Sequence, residues 1–104
     1  MIDVLIKNGT VIDGTGAEAE KADIAIKDGR IVRIAANITD DSLRVIDAGG
    51  QYVSPGFVDS HCHTDTYAAF VPDAEAKLMQ GVTTDVCGLC GECQAPVGAG
   101  HLKE

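Results

Sequence analysis

Tryptophan is absent from this chain of 104 residues, and there are only two phenylalanines and two tyrosines. A core without large rings has to be assembled from valine, isoleucine, leucine and alanine. The hydrophobic share of 45% is enough for one small domain with a real core. Positive charge is scarce as well: eight Lys and Arg stand against sixteen Asp and Glu, a formal net charge of −8. Phosphates would be repelled, so neither nucleic acid nor an anionic membrane is an expected partner. No apolar run approaches the roughly 18 residues that a membrane span requires. The opening Met1–Lys7 lacks the basic start and long apolar stretch of a secretory signal, which makes the cytoplasm the expected location. Thiols stay reduced there, so Cys62, Cys87, Cys90 and Cys93 are read as groups for a metal or for catalysis, not as a disulfide framework.

What is present falls into two patterns. Residues 3–8 are an apolar-rich strand. Asn8-Gly9 is a turn signal, and Val11-Ile12-Asp13 is expected to return as a second strand. Gly14-Thr15-Gly16 hints at a dinucleotide loop, but Ala19 occupies the place of the third glycine and no helix pattern follows, so it is a plain loop. Ala22–Lys27 alternates Ile24 and Ile26 against Asp23, Ala25 and Lys27, the mark of a half-buried strand. Asp28-Gly29 signals a type I′ hairpin into Arg30–Ala35. Residues 36–43 are polar and turn-like, and short strands follow at 45–47 and 51–54. Residues 1–54 thus read as five or six short antiparallel strands, a scaffold without helix.

From Phe57 the pattern changes. A strand over 57–61 leads into a loop over 64–72. Ala74–Gln80 is rich in helix formers and ends at Gly81, and Val82–Val86 is β-branched. Strand, helix, strand is the βαβ unit of a parallel sheet. The tail from Gly88 to Glu104 has no periodicity and is expected to be mobile.

The chemistry concentrates at Asp59-Ser60-His61-Cys62-His63-Thr64-Asp65. On a strand, His61 and His63 point one way and Cys62 the other, with Asp59, and Asp65 if the strand extends, on the histidine face. Two imidazoles one pleat apart can share one metal ion. A rival use of the cysteines is an iron–sulfur cluster, because Cys87-x-x-Cys90-x-x-Cys93 supplies three parts of such a spacing; Val97 stands where a fourth cysteine would fall. His101, in the tail, is read as solvated.

Ser54–Tyr67, with its Ser-Pro-Gly-Phe-Val-Asp-Ser-His-Cys-His core, resembles the first barrel strand of the amidohydrolase superfamily. Gln80-Gly81-Val82-Thr83-Thr84 and Gly88-Leu89-Cys90-Gly91 resemble the second strand and cysteine turn of its N-acyl-D-amino-acid deacylase (D-aminoacylase) branch. Asp3–Gly16 is similar to the family's opening strands. The resemblance implies a mainly β fold with a βαβ unit. Residues 1–54 would be the N-terminal portion of a β-sandwich. Residues 55–104 would be the start of a metal-dependent TIM-type (β/α) barrel, with a flexible tail. Such a barrel takes about 250 residues, so the chain reads as the N-terminal piece of a larger hydrolase, inactive alone. The resemblance also implies zinc held by His61, His63 and Cys90. Asp65 and Tyr67 would stand behind the ligands or against substrate, and an aspartate general base would lie beyond residue 104. The implied substrate is a small molecule, an N-acyl-D-amino acid cleaved at its amide bond. Departures occur at Cys87 and Cys93, where hydroxyl residues are usual, and at Leu89, where asparagine is common. Open sheet edges would invite a homo-oligomer. The alternatives are a non-enzymatic, β-rich metal-binding or self-associating module, and another amidohydrolase branch of the cyclic-amidase kind.

Overall fold

The structure, a computed structural model, describes residues 1–91. Cys93, His101 and the rest of the chain from residue 92 lie outside the described residues, and so does most of the tail expected to be mobile. The chain falls into two compact units, Met1–Pro55 and one beginning at Gly56. The described chain is mostly strand with little helix.

The first unit is a five-stranded sheet with β1 (Ile2–Val11) at its centre. On one side β1 pairs antiparallel with β2 (Glu20–Lys27), which pairs in turn with β3 (Arg30–Ala35). On the other side lie β4 (Ser42–Asp47) and β5 (Tyr52–Val53), both parallel to β1. The expected all-antiparallel arrangement is therefore corrected: only β1, β2 and β3 are antiparallel. The hairpin at Asp28-Gly29 is present, with positive φ at both residues (51° and 71°), as a type I′ turn requires.

The turn expected at Asn8-Gly9 is instead a bulge within one continuous strand. Ile6 lies opposite Ile24 and Gly9 opposite Ala22, so β1 carries one extra residue there. Asn8 takes the left-handed conformation at φ 62°, which asparagine tolerates better than most residues. Glycine follows for lack of space, since a Cβ on Gly9 would come within 2.6 Å of Val53 Cγ2.

Asp23 pins the bulge. Its Oδ1 accepts the Asn8 backbone N–H at 2.9 Å, its Oδ2 accepts the Ile38 backbone N–H at 2.9 Å, and Lys7 Nζ approaches to 3.6 Å. The half-buried reading of β2 is accordingly corrected, because Asp23 and Ala25 are as buried as Ile24. Residues 36–43 are more than a polar turn. Ile38 is fully enclosed with Ile2, Leu5 and Ala25, a burial that contributes roughly 1.5–3 kcal/mol. A second cluster, Val11, Ala22 and Ile24, packs with Ile6, Ile26 and Val53.

In the second unit, β6 (Phe57–Asp59) and β7 (Val82–Asp85) pair in parallel, Phe57 with Val82 and Asp59 with Asp85. The connection holds two single helical turns, α1 (Thr64–Tyr67) and α2 (Glu75–Leu78). The helix expected over 74–80 is thus one turn, and its start carries no capping side chain, with Ala74 left-handed at φ 44°. Gly81 ends it at φ 81°, donating its N–H to Leu78 O at 2.9 Å. Glycine is also required at position 56, where a Cβ would lie 2.1 Å from Thr83 Oγ1. The expected strand over 57–61 stops at Asp59, so His61, Cys62 and His63 occupy the turn beyond it.

Candidate metal centre

The pairing of β6 with β7 continues past the strands in two backbone hydrogen bonds: Val86 N–H to Asp59 O at 2.9 Å, and Cys62 N–H to Val86 O at 3.2 Å. They hold the histidine turn beside the turn that follows β7. Asp59 Oδ1 also accepts the His61 backbone N–H at 3.2 Å, closing the turn locally.

Three side chains meet at the mouth of these turns. His61 Nε2 lies 3.0 Å from Cys90 Sγ. The His61 and His63 rings are 5.9 Å apart between centroids and tilted by 50°. One donor atom from each of His61, His63 and Cys90 lies within 4.8 Å of the others. Two imidazoles and a thiol make a borderline-soft donor set suited to zinc. Zinc bonds of about 2.0–2.3 Å in a tetrahedron put donor atoms roughly 3.3–3.8 Å apart. The His61–Cys90 separation of 3.0 Å is a little short of that range, and the other donor pairs lie within 4.8 Å, so a small side-chain adjustment accommodates the ion. The histidines converge through a turn and not through the strand pleat.

Asp59 does not join them. Expected on the histidine face, it groups with Cys62 and Asp85. Asp59 and Asp85 are register partners on adjacent strands, and two carboxylates side by side repel. Lys77, from α2, supplies the cation: its Nζ forms an ion pair with Asp59 and lies 3.4 Å from Asp85 Oδ1. The Asp59 carboxyl is held below its ordinary range first by the Lys77 ammonium and then by the His61 N–H. Lys77 is raised in turn, chiefly by Asp59. In the sequence Lys77 is one helix former among several. The signal that finds it is the parallel register, which sets two acids abreast.

Asp65 lies in α1 with both carboxylate oxygens enclosed and no hydrogen-bond partner among the described residues. Tyr67 is exposed and lines a cleft of about 290 Å³ with Cys62, His63, Val71 and Lys77. Cys87 turns away from the histidines, its Sγ 3.3 Å from Cys62 Sγ. The Asp65 backbone N–H favours the Cys87 thiolate. The Cys62 thiol, burial and the Asp65 carboxylate outweigh it and push the Cys87 thiol up. Cys87 and Cys90 therefore face different partners, which disfavours a shared iron–sulfur cluster.

A parallel strand pair thus brings two histidines and a cysteine together in the turns that follow it. Residues 44–101 match the amidohydrolase family, and the chain belongs to it. It is 42% identical to an N-acyl-D-aspartate deacylase of Alcaligenes xylosoxydans xylosoxydans over 98% of this chain and 20% of that protein. The fold is similar to a D-aminoacylase solved for the role of its binuclear metal centre, with a TM-score of 0.87 and 42% identity, covering 93% of this chain and 20% of that one. An N-acyl-D-glutamate deacylase from Bordetella bronchiseptica, complexed with zinc and a phosphonate inhibitor, matches with a TM-score of 0.87 and 40% identity, over 96% of this chain and 21% of its own. The chain spans about one fifth of the length of the curated relatives it matches. No helix among the described residues is long and apolar enough to cross a membrane.

Proposed function

We propose that the complete protein is a zinc-dependent hydrolase of the N-acyl amide bond of N-acyl-D-amino acids, and that this chain contributes His61, His63 and Cys90 as ligands. The convergence of those three side chains carries the reading. The similarity to deacylases of N-acyl-D-aspartate and N-acyl-D-glutamate supports the substrate class. In this proposal residues 1–54 belong to a β-sandwich, and residues from 55 onward open a (β/α) barrel of a cytoplasmic enzyme. Catalytic groups of such barrels stand at the C-terminal ends of the strands, which is where β6 and β7 deliver the trio.

Zinc, when bound, lowers the pKa of a bound water toward about 7 and polarises the acyl carbonyl. The residues of the chain orient and support. Asp59 fixes the His61 backbone, Lys77 pairs with both Asp59 and Asp85 and lowers their mutual repulsion, and Tyr67 and His63 edge the cleft that would receive substrate. Asp65, enclosed and without a hydrogen-bond partner among the described residues, stands beside the ligand turn as a group for the loaded site.

In the complete protein, Cys90→Ala is expected to lower kcat/KM on an N-acetyl-D-amino acid by about 100-fold or more, in line with loss of metal-centred catalysis. Unchanged turnover would overturn the ligand role. The chain alone is expected to show no hydrolysis of the same substrate. A self-associating role has one observation in its favour: the outer strand β3 exposes Ile31 and Val32. A concentration-dependent mass by sedimentation is its test.

A further inference from the structure

A pair of thiols in the same unit has no part in the proposed zinc trio. Cys62 is buried, 7% exposed, and its Sγ lies 3.3 Å from Cys87 Sγ. A disulfide needs about 2.05 Å between sulfurs, so the two are about an ångström from bonding. Their approach is imposed by the backbone. Cys62 N–H donates to Val86 O at 3.2 Å, and Val86 N–H donates to Asp59 O at 2.9 Å, so each cysteine sits at a clamped end of the β6–β7 ladder. The other thiol of the site, Cys90, is engaged elsewhere, against His61 Nε2.

We propose that Cys62 and Cys87 form a reversible redox pair, a site of oxidation to an intramolecular disulfide by a small-molecule disulfide of the glutathione type. One S–S bond forms between Cys62 and Cys87. The two thiols give up two electrons and two protons, and the S–S bond of the oxidant breaks as it takes them up and leaves as two thiols. A mixed disulfide on one cysteine is the intermediate, resolved by the neighbouring sulfur. Because Cys62 lies between His61 and His63, the bond ties the histidine turn covalently to the turn after β7. It constrains the unfolded chain by closing the loop from 62 to 87, which raises the unfolding midpoint.

The test uses the full, metal-free chain, equilibrated with oxidised glutathione, alkylated and mapped by peptide mass spectrometry. The expected result is a Cys62–Cys87 cross-linked peptide as the dominant product, with the loss of two hydrogens, Cys90 still alkylated, and both thiols restored by dithiothreitol. Cys62→Ser and Cys87→Ser each abolish the product, whereas Cys93→Ser leaves it. Stable glutathionylation of Cys62 or Cys87, dominant cross-links to Cys90 or Cys93, or Cys62 and Cys87 that remain fully alkylatable would each overturn the pair. The product is read in the unsubstituted chain, so the result does not hang on whether a variant folds. It is also read without zinc, so failure of the ligand assignment leaves it untouched.

Discussion

Each unit of the chain holds an aspartate whose side chain accepts backbone N–H and faces a lysine, yet the two aspartates do different things. Asp23, in the first unit, takes the N–H groups of Asn8 and Ile38 and faces Lys7, and its side chain is 4% exposed. Asp59, in the second, takes the N–H of His61 and pairs with Lys77, and its side chain is 33% exposed. The buried carboxylate closes a scaffold on itself, stitching bulge to loop. The half-open one leaves its neighbour free to face outward, and that neighbour is a candidate metal ligand. The same local chemistry serves stability where water is excluded and presentation where it is not.

Substitution at the two aspartates separates these roles. Asp23→Ala leaves the buried Ile38 N–H and the part-buried Asn8 N–H without their acceptor and is expected to destabilise the first unit by about 2–4 kcal/mol, using the cost of leaving a buried donor unmet. Urea denaturation of the chain reads it; a midpoint within error of the parent would break the comparison. The Asp23 carboxyl is lowered first by the Asn8 N–H, then by the Ile38 N–H and the Lys7 charge, against burial that raises it. Its stabilisation is therefore complete above the ordinary carboxylate pKa of about 3.9 and is lost as pH falls through the lower folded value. In Asp23→Asn that acid loss should flatten in a plot of Tm against pH.

A smaller destabilisation, of about 1–3 kcal/mol as for overpacking, is expected for Gly56→Ala, whose new Cβ collides with Thr83 across the β6–β7 pair. Gly9→Ala, whose tightest contact is Val53 Cγ2 at 2.6 Å against 2.1 Å for Gly56, should cost less. An effect of Gly9→Ala exceeding that of Gly56→Ala would reverse the assignment of the tighter approach to the second unit. Asp59→Ala is expected to leave the first unit's unfolding midpoint alone and to weaken zinc binding by roughly 10-fold, the lower range for removal of an outer-shell partner. Calorimetric titration with zinc is the measurement, and unchanged affinity would show that His61 needs no such support.

The sequence made β2, β3 and their type I′ hairpin readable because Asp28-Gly29 and the alternating isoleucines are local signals. Asn8-Gly9 misled for an equally physical reason. A left-handed asparagine followed by glycine serves a bulge as well as a turn, and only long-range contacts, the Asp23 carboxylate on the Asn8 N–H and Val53 against Gly9, decide between them. The parallel placement of β4 and β5 on β1 is a long-range choice with no local mark. At the site, His61, His63 and Cys90 were legible as residue types, and the structure brings them together by a route the strand period did not describe, because β6 ends at Asp59. Lys77 and the Cys62–Cys87 contact escaped notice because both depend on the register of β6 with β7.

The central claim, that His61, His63 and Cys90 form one metal site, is most directly tested by titrating the reduced chain with cobalt(II) as a spectroscopic substitute for zinc. The expected result is saturation near one equivalent with a thiolate-to-cobalt charge-transfer band. Zinc should displace the cobalt, and the band should vanish in Cys90→Ala. A charge-transfer band of full intensity in Cys90→Ala, or saturable binding indifferent to both His61→Ala and Cys90→Ala, would contradict the claim.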